Sequence, residues 1–193
     1  MNFNRIKFAI ILLLSCIILS EVMAIETPEY TLIKKENGFE IRKYEPMIIA
    51  TTQVQSEYRN ATSIGFRRIA NYIFGGNATG MNIEMTAPVL TNTPDSQEIY
   101  EIQFVMPSEH SMKDLPKPNT DNVSIKRVNL GKTAVLRFGG WATRDRASHY
   151  KNELRDLLYA NGYKTNKAYM VAQYNSPWAI PPFRKNEIIV QID

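Results

Sequence analysis

The order of signals in this chain runs twice, and that repeat limits its fold more than any other feature. Residues 39–44 alternate apolar and polar side chains as a half-buried strand does, Glu45-Pro46 turns the chain, and residues 47–54 are rich in β-branched types. A helical period follows over residues 57–74, then a strand-like run at 83–89, then a strand at 99–106 that Pro107 ends. The second pass has a strand at 123–128, a turn at 129–131 and a strand at 133–138. Its helix runs from an N-cap at Thr143 to about Asn161, with Gly162 as the stop, and two strands at 169–174 and 187–192 close the chain. Two strand-strand-helix-strand-strand units cannot each cover their own sheet edges. Joined into one curved antiparallel sheet or barrel, with both helices packed outside, they bury both helix stripes, so the expected class is an α+β duplicated fold.

The phase of each helix says which face meets the sheet. At about 100° per residue, Tyr58, Ala61, Gly65, Ile69 and Tyr72 gather on one side of the first helix. Phe66, Ala70 and Phe74 form a second apolar shoulder with Arg67 at its edge, wider than packing on one sheet requires. Ala147, Tyr150, Leu154, Leu157 and Leu158 make the stripe of the second helix. An added strand at 30–35 joins the first unit through an Asn37-Gly38 hairpin signal, and the polar, proline-bearing segment 108–121 reads as an internal linker.

Residues 1–24 pose a separate problem. Arg5 and Lys7 precede an apolar run that is too short for a comfortable membrane span, and Val22-Met23-Ala24 offers a small residue at a cut. Residues 1–24 therefore read as a secretory signal peptide and 25–193 as one domain, exported to a periplasm or secreted, the alternative being an anchor through an uncleaved signal. Cys16 is the single cysteine, so cleavage after Ala24 leaves no disulfide, thiolate metal site or cysteine nucleophile. The formal net charge is only +4 and no block of like charges occurs, so a nucleic-acid groove is not expected, and a monomer is favoured.

Catalytic patterns are scarce. His110 falls in the linker; His149 points away from the stripe of its helix, between Asp145 and Glu153, and reads as a surface residue, and neither histidine sits in a metal motif. Gly75-Gly76 follows a helix instead of opening one and is a helix stop, not a phosphate loop. Glu40, Glu84 and Glu101 are the strand glutamates that a barrel interior could hold, and they support an enzyme only weakly. What is left is an apolar surface with few cations. Phe66, Ala70, Phe74, Met81, Met85, Trp178 and Ile180 suit a flat hydrophobic ligand, and Arg67 or Arg68 suits a carboxylate on it.

These residues also carry a resemblance. The run Met85-Thr86-Ala87-Pro88-Val89 resembles the M-T-A-P-V signature of the SOUL haem-binding family, and Glu40-Ile41-Arg42-Lys43-Tyr44 resembles its early E-x-R-x-Y strand. Residues 65–77, 104–107 and 174–188 are similar to its first helix, its F-V-M-P strand end and its C-terminal segment, in order along nearly the whole mature chain. The resemblance implies a twisted antiparallel β-barrel of duplicated βαββ-type units flanked by two α-helices, related to effector-binding domains. It implies non-covalent binding of haem or another tetrapyrrole against the first helix and the loop before the last strand. Carried over by position, and with the Arg67 and Met85 argued above, the site comprises Phe66, Arg67, Ile69, Ala70, Ile73, Met85, Trp178, Ala179 and Ile180. Lys43 stands where some members have a histidine, and Ile180 where others have a lysine, which implies hydrophobic binding without a histidine ligand.

Three functions are thereby set against each other: an exported haem or porphyrin carrier or scavenger; an effector-type module for other hydrophobic small molecules or peptides; and a hydrolase or haem-processing enzyme using a strand glutamate. Acidic residues in the groove would favour the second, and a buried glutamate beside a tyrosine hydroxyl the third.

Overall fold

The computed structural model describes residues 25–93, 99–176 and 178–193, so the leader reading of residues 1–24 lies outside the described residues. The elements are β1 (Tyr30–Lys35), β2 (Glu40–Tyr44), β3 (Met47–Gln55), α1 (Tyr58–Ile73), β4 (Val89–Asn92), β5 (Ile99–Val105), β6 (Ser124–Val128), β7 (Gly131–Gly139), α2 (Arg144–Ala160), β8 (Met170–Gln173) and β9 (Lys185–Gln191). A short 3₁₀ turn, Pro181–Phe183, precedes β9.

All nine strands form one antiparallel sheet in the order β1-β2-β7-β9-β8-β4-β5-β3-β6, curled into a half-barrel. The order exposes the duplication. Exchanging β2 with β6, β3 with β7, β4 with β8 and β5 with β9 reverses it, so a pseudo-twofold axis passes between the central neighbours β4 and β8, with β1 outside the symmetry. The helices obey the same exchange: α1 packs on β3 and β5, and α2 on the equivalent β7 and β9. The two end strands carry Lys34 and Lys35 on β1 and Lys126 and Arg127 on β6, charges that discourage further strand pairing.

Side chains alternate between the two faces of the sheet. On the helix face, Ile102, Phe104 and Ala50 meet Ala61, Ile69 and Tyr72 of α1, while Leu136, Ile188 and Val190 meet Ala147, Leu154 and Leu158 of α2. On the opposite face, Tyr44, Leu90, Val135, Ala172 and Ile189 form a third cluster. Gly65 explains how closely α1 sits. A Cβ there would lie 2.6 Å from Ile102 Cγ1, so a side chain would lever the helix off β5. Thr143 caps α2 as expected, its side chain accepting from the Arg146 amide at 3.4 Å.

Two expectations change. Residues 83–88 are not a strand; the chain runs irregularly through them, with Ala87 and Pro88 joined in cis, and pairing begins only at Val89. Thr86 there donates to the Val105 carbonyl at 2.6 Å, the Ile83 and Ala87 amides donate to the Ile73 and Glu26 carbonyls at 2.8 Å each, and Ile83 is buried, so the run is held by isolated bonds and packing in place of a ladder. The segment 108–121 is no free linker. Leu115 is buried, Tyr72 donates to the Pro116 carbonyl at 3.0 Å and Ala78 to the Lys117 carbonyl at 2.9 Å, which folds the segment over the end of α1.

Candidate functional site

A cleft of about 960 Å³ opens on the helix face, at the pseudo-twofold axis. Val89 and Thr91 of β4 and Gln173 of β8 contribute to its lining from the sheet, Val89 and Gln173 being direct partners across the central strand pair. One wall is the part of α1 from Tyr58 to Arg67, with Tyr58, Thr62, Phe66 and Arg67; the other is Trp141 and Ala142 with Thr143 and Arg144 at the start of α2. Both helices thus begin at this cleft, as the symmetry requires. A smaller recess of about 100 Å³ shares Tyr58 and Arg144 with it.

The charge of the lining is one-sided. Arg59, Arg67, Arg144 and Arg184 stand against a single carboxylate, Glu57. Arg184 is buried over the Trp141 ring, 3.7 Å from guanidinium carbon to ring centroid, a cation–π contact that fixes both groups on one wall. Phe66 is half-buried, its ring centroid 5.3 Å from that of Phe104, so one edge anchors in the core while the side chain contributes to the cleft. Among the described residues, the lining has no histidine, cysteine or methionine, and no cluster of three metal-binding side chains occurs elsewhere.

Of the residues singled out from sequence, the cleft brings together Phe66 and Arg67. Ile69 and Ile73 face the sheet at 0% and 1% exposure, so they support α1 from beneath and lie outside the lining of this cleft. Ala70 is half-buried on α1, and Met85 is exposed in the segment before β4; neither lines the cleft. Trp178, 90% exposed, and Ile180, also exposed, lie with the half-buried Ala179 in the loop before β9, outside the lining. His149 is exposed, 3.9 Å from Glu153 and edge-on to Tyr150, whereas the His110 side chain is largely covered near Glu109.

The strand glutamates fall differently from expectation. Glu84 is exposed in the irregular segment, and Glu101 accepts from Thr51 and Lys126 at 2.8 and 2.7 Å. The buried carboxylate is Glu187 on β9. It accepts two bonds from Arg42 at 3.0 Å each, one from the Tyr174 hydroxyl at 2.6 Å and one from Arg137 at 3.1 Å. Burial opposes its charge, but the hydrogen bonds from Arg42 and Tyr174 and the charges of Arg42 and Lys185 hold its carboxyl below the usual carboxylate range. It shares its sheet face with Ile189 and Tyr44, so the sheet separates it from the cleft.

The pattern of the family described as SOUL heme-binding protein matches residues 25–191. The chain belongs to the SOUL family. It is similar to heme-binding protein 2 of Homo sapiens, 30% identical over 165 residues that cover 80% of each chain. Its likeness to heme-binding protein 2 of Mus musculus is 29% over 180 residues, covering 88% of this chain and 87% of that one. Among solved structures, the EcmrR C-terminal domain superposes with a TM-score of 0.61 at 13% identity, covering 85% of this SOUL chain and 98% of that domain. A structure titled as a hydrolase from Listeria innocua gives 0.58 at 11% identity, covering 83% and 94%. At those identities the two superpositions establish a shared fold and nothing about chemistry.

Proposed function

We propose that this SOUL protein binds haem or a closely related tetrapyrrole non-covalently in the cleft between α1 and the start of α2, as an exported carrier or scavenger and not as a catalyst. The observation that carries this reading is the lining itself: an apolar slot of about 960 Å³ edged by four arginines, in a chain whose relatives are heme-binding proteins. That volume lies near the top of the range for small-molecule pockets, about 300–1,000 Å³, as a large planar macrocycle needs. Phe66, Val89 and Trp141 offer apolar surface to the ring, and the exposed Arg59, Arg67 and Arg144 offer paired donors to its carboxylates. When bound, haem supplies an iron. Among the described residues the lining supplies no imidazole, thiolate or thioether for it, so retention there rests on apolar contact and charge, which suits a carrier that must also release its load.

The competing functions draw less from the geometry. A module for hydrophobic cations needs acidic walls, and this cleft has four arginines to one glutamate. Glu187 does sit beside a tyrosine hydroxyl, yet its oxygens are taken up by Arg42, Tyr174 and Arg137 on the other face of the sheet, which leaves no basic lone pair aimed at a substrate.

Titrating the protein of residues 25–193 with haemin should give a saturable Soret shift at micromolar haemin. His149→Ala should leave the binding curve unchanged, since the side chain is exposed on α2 and lies outside the cleft. No saturable shift would sink the reading, and a large loss from the histidine change would move the site. Export is checked separately. Mass spectrometry of protein expressed with residues 1–193 should find a chain beginning at Ile25 outside the cytoplasm; a chain retaining residues 1–24 in the membrane fraction would mean an anchor instead.

A further inference from the structure

We propose that the inner end of the cleft is a carboxylate-binding subsite, built from the Tyr58 and Thr91 hydroxyls, the uncapped first amides of α1 and Arg144. The inference rests on the tetrapyrrole reading above and says which part of the ligand is recognised and by what.

Tyr58 and Thr91 both belong to the lining, at 7% and 0% exposure. Their hydroxyl oxygens are shielded from solvent, and among the described residues neither has a hydrogen-bond partner. Buried hydroxyls are nearly always satisfied, and one left alone destabilises the fold. Two such groups from distant parts of the chain, the first residue of α1 and the third of β4, meet at one cleft. Burial and the neighbouring Tyr100 push the Tyr58 phenol well above its ordinary pKa, so it stays protonated and able to donate.

The start of α1 adds to this. The Glu57 N-cap makes no side-chain cap bond and the first turn holds no acidic residue, so no side chain bonds the first amides and only the exposed Glu57 charge stands against their partial positive charge. Glu57, Tyr58 and Arg59 at that end line the cleft, as do Ala142, Thr143 and Arg144 at the start of α2. The first amides of α1 and the Arg144 guanidinium therefore stand at the cleft that Tyr58 and Thr91 line, whereas the start of α2 is already capped by Thr143 and carries Asp145 in its first turn. An anion satisfies every one of these groups; a ligand of the same shape without a carboxylate leaves the hydroxyls orphaned.

Protoporphyrin IX and its dimethyl ester separate these cases, because they share the ring and differ in the two carboxylates. Fluorescence titration of the protein of residues 25–193 should show the free acid binding at least tenfold tighter than the ester. Tyr58→Phe and Thr91→Val should each weaken the free acid about tenfold, the scale of one hydrogen bond to a charged group, and leave the ester unchanged. Both variants should also melt about 2–4 °C higher than the parent, because each removes a buried hydroxyl with no protein partner. A purely structural role would move stability the other way. Equal affinity of parent and variants for the free acid would overturn the subsite while leaving tetrapyrrole binding standing. Failure of the parent to bind either compound would overturn the reading beneath it, and the subsite with it.

Discussion

Replacing Arg42 by methionine should destabilise the protein by about 3–5 kcal/mol, the cost of leaving a buried carboxylate without its counter-ion. Arg42 is 0% exposed and Glu187 likewise, and the guanidinium grips both Glu187 oxygens while it also bonds Glu40 at 2.7 and 2.9 Å and the Tyr44 hydroxyl at 2.9 Å. Without it, Glu187 keeps the half-exposed Arg137 at 3.1 Å and Lys185 at 3.9 Å, neither of which replaces the bidentate grip. The network ties β2 to β9 across β7, and Tyr174 brings in the strand end that leads to the loop before β9. Urea denaturation at pH 7 measures the loss. The double variant Arg42→Met with Glu187→Met should recover most of it, since removing both charges abolishes the uncompensated one. A single variant as stable as the parent would mean that the pair contributes nothing net.

The pH dependence has a definite sign. In the parent the folded-state pKa of Glu187 is depressed, so its contribution is present above the unfolded carboxylate value and is lost as pH falls through the folded one. In Arg42→Met, burial without the main partner raises that pKa instead, and protonation then relieves the folded state. The stability gap between parent and variant should therefore narrow as pH falls from 7 toward 5.

This cluster also marks where reading the chain without coordinates stops. The strand and helix periods are local, so Glu57 and Phe74 bracket α1 as expected and Tyr58, Ala61, Gly65, Ile69 and Tyr72 are all buried beneath it. The duplication is legible because each unit repeats its own local signals. Arg42 and Glu187, 145 positions apart, meet only through the order in which the units pair. Glu187 opens the expected strand 187–192 directly after the polar residues Arg184-Lys185-Asn186, so nothing local marks it as buried; its burial follows from β9 lying inside the sheet. The cleft is legible by one wall only. Phe66 and Arg67 stand out as the shoulder of a helix, but Thr91 and Gln173 become floor residues because the axis passes between β4 and β8. The Thr143 cap was the available signal for the opposite wall, since a symmetric fold that starts α1 at a cleft starts α2 there as well.

Phe66→Asp should abolish haemin binding, weakening it by at least about a hundredfold. Losing the buried part of a phenylalanine costs roughly 1.5–3 kcal/mol of apolar contact, and a carboxylate in its place must be desolvated and must repel the ligand's own carboxylates. The same change disturbs the contact with Phe104, so binding has to be read beside a melting curve, and Phe66→Leu serves as the variant that keeps the core. Phe66→Leu should fold normally and bind several-fold more weakly than the parent, in proportion to the ring surface removed. Trp178→Ala provides the opposing test. Its side chain is 90% exposed and lies outside the cleft lining, so its removal should change affinity little if the slot between α1 and the start of α2 holds the macrocycle. Should Trp178→Ala eliminate binding while Phe66→Asp, still folded, retains it, the ligand sits against the loop before β9 and the cleft at the pseudo-twofold axis serves something else. The two walls make different demands on the chain: the loop must close over a ligand to shield it, whereas the cleft is already formed by the meeting of the two repeats.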